Sequence, residues 1–316
     1  METKVTFEDR IRGGVYGLLV GDALGVPYEF HSAQDLPFSE EIEFDPPSYF
    51  RRSHAGVPPG TWSDDGAQAL ILLDSLLECG SLDLDHFAPG LVDWYDRGFM
   101  TPDGIVFDVG IQTASSIKEL KAGIAPSLSG GFDEYSNGNG SLMRTLPLAL
   151  WHRGSDQELV SDAFRQSGVT HGHPRSRICC AIYCLWARYI LLEHPSPWNQ
   201  AIRVFYDLFT EGSDERLEFE TKVLPPEAEF DVRGNGYVVN SLRAAKWASD
   251  YPSYEQALKA AISLGEDTDT TACIAGGIAG LKFGVRAIPD RWMKGLRGKD
   301  IVEPLLDKLI AKATRK

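Results

Sequence analysis

Long apolar runs are missing from this chain. None reaches the roughly 20 residues a membrane-spanning helix needs, so no membrane partner is expected. Met1–Arg10 carries acids and no apolar core, so no secretory leader is expected either. Excess basic charge is also missing: 31 Lys and Arg stand against 45 Asp and Glu among 316 residues, a formal net charge of −14. That leaves no basic face to neutralise nucleic-acid phosphates. An anionic small molecule would need metals, local arginines or helix N-termini to offset the field. A disulfide framework is not indicated, because the cysteines number five and Cys179, Cys180 and Cys184 crowd one stretch. No C-x₂-C pair frames a zinc site; Cys180 and Cys184 share one face of an apolar helix and read as buried thiols. Strand alternation, solenoid repeats and low-complexity linkers are lacking too. These absences leave a cytoplasmic, all-α chain, expected to form one compact multi-helix domain over residues 1–316.

Helical periodicity is what the chain has in quantity. Apolar spacing and caps predict helices over Gly13–Gly25, from Asp64 to a stop at Gly80, and over Leu84–Gly98, Val109–Lys121 and Leu142–Trp151. Further on they predict Ser176–Leu192, Trp198–Phe209, Val238–Ser249, Tyr254–Leu264, a helix after Asp267, and Ile301–Lys316. Two helices carry small residues at close spacing: Gly14, Gly17, Gly21 and Gly25 in the first, Ala272, Gly276 and Gly280 near the end. An interior helical glycine costs about 1 kcal/mol relative to alanine, so such stripes need a reason in close packing or function.

Two acidic clusters stand at helix starts, Ser63-Asp64-Asp65 and Asp267-Thr268-Asp269-Thr270. Carboxylates interleaved with hydroxyls supply hard oxygen donors for a divalent cation. The plain alternative is that Ser63 caps its helix and the acids complement the helix dipole. Asp22 and Glu29 read as surface acids at a helix end or as members of a site. The stretch Ser136-Asn137-Gly138-Asn139-Gly140-Ser141 either exposes N–H groups to a diphosphate or forms a simple turn. Arg144, expected in the first turn of a helix, calls for an acid or a phosphate there. His171 and His173 either touch substrate or cap the next helix.

Several chemistries fit these residues. Asp267-Thr268-Asp269-Thr270-Thr271 spells the D-x-D-x-T string of a class of phosphatases, but that string follows a strand and a helical segment precedes it here. An EF-hand fails for want of its loop glycine and terminal Glu. A non-catalytic binding protein and a two-metal hydrolase remain.

Five motifs in order resemble the ADP-ribosylglycohydrolase family over almost the whole chain: Gly21-Asp22-Ala23-Leu24-Gly25 with Glu29, Trp62-Ser63-Asp64-Asp65, Asn139-Gly140-Ser141-Leu142-Met143-Arg144, Thr170-His171, and Gly265-Glu266-Asp267-Thr268-Asp269-Thr270. The resemblance implies an all-α fold with a binuclear centre of two Mg²⁺ or Mn²⁺. Its ligands would be Ser63, Asp64 and Asp65 from one helix start and Asp267, Asp269 and Thr270 from another. It implies substrate contacts at Gly138, Asn139, Gly140, Ser141 and His171, and a glutamate at Glu29 that approaches the metals or substrate. Asp64, Asp65 or Glu29 would then serve as general base or acid in cleaving a glycosidic bond. Phe132 and Tyr135 are placed to stack on adenine. The implied substrate is an ADP-ribosylated protein, a toxin's target among the options, with arginine the acceptor and ADP-ribose the product. A non-catalytic or partly catalytic immunity protein that blocks an ADP-ribosylating toxin is the alternative. Where the family pattern carries Thr, Thr and Gly, this chain has Ser63, Gly66 and Glu266; Ser136 replaces an Asp of some relatives. Gly66 is expected to remove a hydroxyl beside the metals, and Glu266 to add an acid.

Overall fold

Apolar periodicity, interrupted by caps and glycines, produces fourteen α-helices in a computed structural model that describes residues 4–224 and 232–314. The first seven are α1 Phe7–Gly25, α2 Asp64–Cys79, α3 Leu84–Arg97, α4 Ile111–Lys121, α5 Leu146–Trp151, α6 Asp156–Gly168 and α7 Pro174–Leu191. The remainder are α8 Pro197–Leu208, α9 Asp214–Glu218, α10 Val238–Ala248, α11 Tyr254–Ile262, α12 Thr268–Phe283, α13 Asp290–Gly295 and α14 Lys299–Thr314. Among the described residues the only β pairing is three isolated bridges, so the chain is all-α. No helix among them is long and apolar enough to cross a membrane. The expected last helix, Ile301–Lys316, is realised as α14, and its final two positions lie outside the described residues.

Helix boundaries depart from the sequence expectation where proline and capping chemistry intervene. The helix expected from Leu142 begins only at Leu146. An earlier start would put Pro147 in a helix interior, where it has no N–H and clashes with the preceding turn, costing about 3 kcal/mol. Residues before it turn instead, with Leu142 N and Met143 N both donating to Asn139 O. Helix α6 was not anticipated, although Ser155-Asp156-Gln157-Glu158 is a capping box: Ser155 Oγ accepts from Glu158 N while Glu158 accepts from Ser155 N.

The small-residue stripes explain the architecture. A Cβ on Gly13 would lie 2.2 Å from Gly280 O, on Gly17 2.3 Å from Gly276 O, and on Gly21 2.1 Å from Ala272 O. Helices α1 and α12 therefore run antiparallel with their backbones touching along their length. Tyr254 Oη donates to Gly17 O at 2.9 Å, and Thr268 Oγ1 to Gly25 O at 2.8 Å. Antiparallel contact brings the end of α1, and the chain leading to Glu29, beside the start of α12. The apolar core surrounds this pair and is contiguous. It includes Trp62, Trp94, Trp292 and the wholly buried middle of α7 with Cys179, Cys180 and Cys184. All five cysteines are free thiols, four of them buried.

Gly17→Ala tests the backbone contact. Alanine ordinarily favours a helix interior by about 1 kcal/mol. Here its methyl meets the Gly276 carbonyl, so we expect a net loss of about 2 kcal/mol or more in urea-induced unfolding.

Candidate functional site

Buried donors at two helix starts, and the acids that answer them, define the site. Ser63 stands at the N-cap of α2 in extended conformation, its Oγ accepting from Asp65 N at 3.3 Å. A second acceptor comes from far along the chain. Asp22, fully buried on α1, accepts from Ser63 N at 2.9 Å and Gly66 N at 2.7 Å. Asp22 is thus not a surface acid. It satisfies free N–H groups at the start of α2 and ties that turn to α1. Gly66 also has a reason other than the one expected. A Cβ there would lie 2.8 Å from Leu19 Cδ2 and from Trp62 Cγ, so the position is packed against the core and has no room for a threonine.

The two predicted clusters meet. Thr270 Oγ1 donates to Asp65 Oδ1 at 3.2 Å across 205 residues of sequence. Asp267 stands at the N-cap of α12 and accepts from Asn139 Nδ2 at 2.8 Å. Asp64 accepts from Gln68 Nε2 at 3.0 Å. Two carboxylate oxygens, Asp65 Oδ2 and Asp269 Oδ2, are buried without a hydrogen-bond partner. Glu29 is 4% exposed, and its carboxylate lies with those of Asp267 and Asp269 in a group whose oxygens fall within 4.8 Å of one another. A seventh carboxyl group, missed in the sequence, belongs here: Asp108, which groups in the same way with Glu29 and His54. It sits between Phe107 and Val109 at φ +53°, just before Gly110 and α4. An acid flanked by apolar residues in a non-helical connection was the available signal.

These groups strain one another electrostatically. Burial pushes Asp22 up to about 7 and Glu29 up to about 8. Asp64, Asp65 and Asp269 rise well above the usual carboxylate range, through burial first and neighbouring acids second. Asp267 and Asp108 rise for the same first reason. Unpartnered oxygens, crowded carboxylates and adjacent hydroxyls are the donor set a hard divalent cation takes, and a cation would relieve the repulsion.

Around this floor lies a cleft of about 920 Å³ lined by Glu29, Asp64, Asp108, Asp267, Thr270 and the Gly138–Gly140 loop, with Phe132 and Tyr135 among its other walls. The loop is anchored by Asn139 N donating to Gly236 O and Val238 N donating to Asn137 O. His171 packs beneath it, fully buried, with its Nδ1 2.8 Å from Thr170 Oγ1; burial and then Arg144 push its pKa down to about 3, so the ring is neutral. His173 does the capping, accepting from Arg175 N at the start of α7. Ser141 turns away: its hydroxyl is buried 2.9 Å from Ser167 Oγ. Arg144 does not meet a phosphate at a helix start. It is buried, donating to Gln166, Thr170 Oγ1 and Gln68 Oε1, and Gln68 passes that support to Asp64. Burial lowers it to about 10, so it stays charged at neutral pH. Glu266 is exposed at φ +61°; its N donates to His31 O and its O accepts from Phe30 N. A glycine would suit that left-handed backbone.

A family profile described as ADP-ribosylglycohydrolase matches residues 3–316. An ADP-ribosylarginine hydrolase of Serratia proteamaculans is 30% identical over 308 residues, covering 95% of this chain and 79% of that protein. One from Pseudomonas putida is 29% identical over 312 residues, with 96% and 79% covered. A solved structure titled ADP-ribosylglycohydrolase-related protein complex superposes with a TM-score of 0.78 at 29% identity, over 98% of this chain and 99% of that one.

A carboxyl group whose pKa is higher in the folded than in the unfolded chain holds more protons when folded, so stability falls as pH rises between the two values. With Asp22 at about 7 and Glu29 at about 8, against ordinary values of 3.8 and 4.5, the ion-free chain should lose melting temperature from pH 5 to pH 8. Adding Mg²⁺ or Mn²⁺ at pH 8 should restore it in thermal-melt measurements.

Proposed function

This chain belongs to the ADP-ribosylglycohydrolase family, and on that premise we propose that it hydrolyses the bond joining ADP-ribose to an arginine side chain of a modified protein. One observation carries the reading: Ser63-Asp64-Asp65 and Asp267–Thr270 meet at the floor of a cleft, with two buried carboxylate oxygens left unpartnered. Similarity to two proteins named as ADP-ribosylarginine hydrolases supports arginine as the acceptor. A target modified by a toxin falls within the same substrate class. Free thiols at all five cysteines suit a cytoplasmic setting.

Ser63, Asp64, Asp65, Asp267, Asp269 and Thr270 would hold two Mg²⁺ or Mn²⁺ ions. Bound there, the ions supply Lewis acidity toward ribose hydroxyls and water, and neutralise the acids. The remaining steps belong to the chain's own groups. The cleft has the size of a small-molecule site, which runs to roughly 300–1,000 Å³. Gly138 and Gly140, on either side of the anchored Asn139, present backbone without side chains to the diphosphate, where N–H groups bind oxygens. His171, neutral, gives the ribose a hydrogen-bonding ring nitrogen without adding charge. Phe132, half exposed, and Tyr135, 97% exposed, offer ring faces to adenine. Glu29, pushed up to about 8, can hold a proton for the departing guanidine near neutral pH or take one from the attacking water, and Asp108, raised by burial, stands beside it. Asp64 and Asp65 are the other acids of the floor, Asp64 tied to Gln68 and Asp65 to Thr270.

The phosphatase reading of D-x-D-x-T does not fit: α11 and a turn precede Asp267, and the first Asp stands at the N-cap position of a helix where the motif needs the end of a strand. The test is release of ADP-ribose from arginine-, serine- and O-acetyl-linked conjugates with and without chelator. We expect release from the arginine conjugate, lost on chelation, and a fall of about 10²-fold or more in Asp64→Asn and in Asp269→Asn alike. Full activity in Asp64→Asn, or release indifferent to chelator, would sink the two-cluster site. Tyr135→Ala should raise KM about tenfold and spare kcat, as expected for a lost stacking partner.

A further inference from the structure

Among the described residues, six other than glycine adopt positive φ: Phe30, His54, Met100, Asp108, Glu193 and Glu266. Four of these gather around the segment that carries Glu29. Phe30 follows it in sequence. Glu266 exchanges backbone hydrogen bonds with Phe30 and His31. Asp108 and His54 form with Glu29 a group whose polar atoms lie within 4.8 Å. Left-handed backbone at non-glycine residues persists only where the surroundings enforce it, and such residues concentrate at functional sites.

The enforcing contacts come from Ser53 and His54. Ser53 N donates to Pro27 O at 2.9 Å, and Ser53 Oγ donates to the Glu29 carbonyl. His54 Nε2 and Glu29 Oε2 share a hydrogen bond of 2.6 Å. One dipeptide therefore holds both the main chain and the carboxyl group of Glu29. The His54 ring is in turn fixed between two aromatics, its centroid 5.6 Å from that of Phe30 and 5.2 Å from that of Phe107. Phe107 precedes Asp108, so the same ring that binds Glu29 also braces the connection carrying Asp108. A histidine serving only to fill space would not need its nitrogen on the carboxylate or its ring between residues adjacent to two acids of one cleft.

We propose that His54 is a positioning residue of the hydrolytic site, holding the Glu29 carboxyl group against Asp267 and Asp269. The proposal rests on the reading of Glu29 as a residue of the hydrolytic site. It assigns His54 no contact with substrate. Its effect on turnover runs through the geometry of Glu29, since misplacing a reacting group by about 1 Å costs on the order of 10²-fold in rate.

The experiment compares His54→Ala, His54→Gln, Glu29→Gln and the double variant Glu29→Gln/His54→Ala. Glutamine carries an amide nitrogen to about the place of Nε2. We expect kcat on ADP-ribosylarginine to fall about 10²-fold in His54→Ala with KM nearly unchanged, and to recover most of the loss in His54→Gln. In the Glu29→Gln background, His54→Ala should add little, because the two act as one unit. Amide hydrogen exchange of residues 29–32 in the ion-free chain should accelerate in His54→Ala and return in His54→Gln, with α1 and α12 unchanged. Unaltered exchange over 29–32 in His54→Ala overturns the proposal. So does a His54→Ala loss that glutamine does not rescue, or one that adds in full to that of Glu29→Gln. If the wild-type chain releases no ADP-ribose, the functional reading fails while the exchange comparison still decides whether His54 positions Glu29.

Discussion

Backbone contact between α1 and α12 is the constraint on which the rest depends. Glycines facing carbonyls leave no space for a methyl group, so the two helices are locked in register as well as proximity. Register is what matters for chemistry. It puts Asp22 at the height of the α2 N-terminus and the Glu29 segment beside Asp267 and Asp269. A slide of one helical turn, about 5.4 Å, would separate the acids by more than a hydrogen bond can span.

On that frame the molecule assembles an electrostatic arrangement that folding alone disfavours. Asp22, Glu29, Asp64, Asp65, Asp108, Asp267 and Asp269 are drawn from water, and all have pKa values pushed upward. The helix starts of α2 and α12 offset part of the cost, since their N–H groups and dipoles favour negative charge. Arg144 contributes through Gln68 and not by direct pairing, leaving Asp65 Oδ2 and Asp269 Oδ2 without a partner. Affinity for divalent cations and a stressed ion-free fold would therefore be two faces of one design. The unshared oxygens that make the chain less stable alone are the ones that would bind the ions.

How much of this was legible in the sequence can be judged residue by residue. Helical periodicity revealed the all-α class, and the glycine stripes marked two helices for close packing without saying that they pack on each other. The acidic clusters were visible as hard-donor sets, and motif order tied them to a family. Asp22 was harder to read, because an acid at the end of a helix looks the same whether it faces water or caps a helix some forty residues away. Asp108 was passed over because its partners lie distant in sequence. Arg144 was assigned to a helix start that Pro147 forbids, which pointed it at an acid or a phosphate when it meets two glutamines and a threonine. Gly66 looked like a lost hydroxyl and proved to be a packing position.

By itself, the sequence determined the quantities that depend on neighbours within a few turns: helix class, caps, the narrow faces of α1 and α12, and the presence of clustered hard donors. Only tertiary structure decided which clusters meet, which acids are buried, and which side chains face the cleft. The physical reason is that local patterning sets the periodicity of one helix, whereas convergence of Asp65 with Thr270, or of His54 with Glu29, is settled by how helices and loops pack across long stretches of chain. Burial then sets the charge state of each acid, and no single stretch of sequence carries that information.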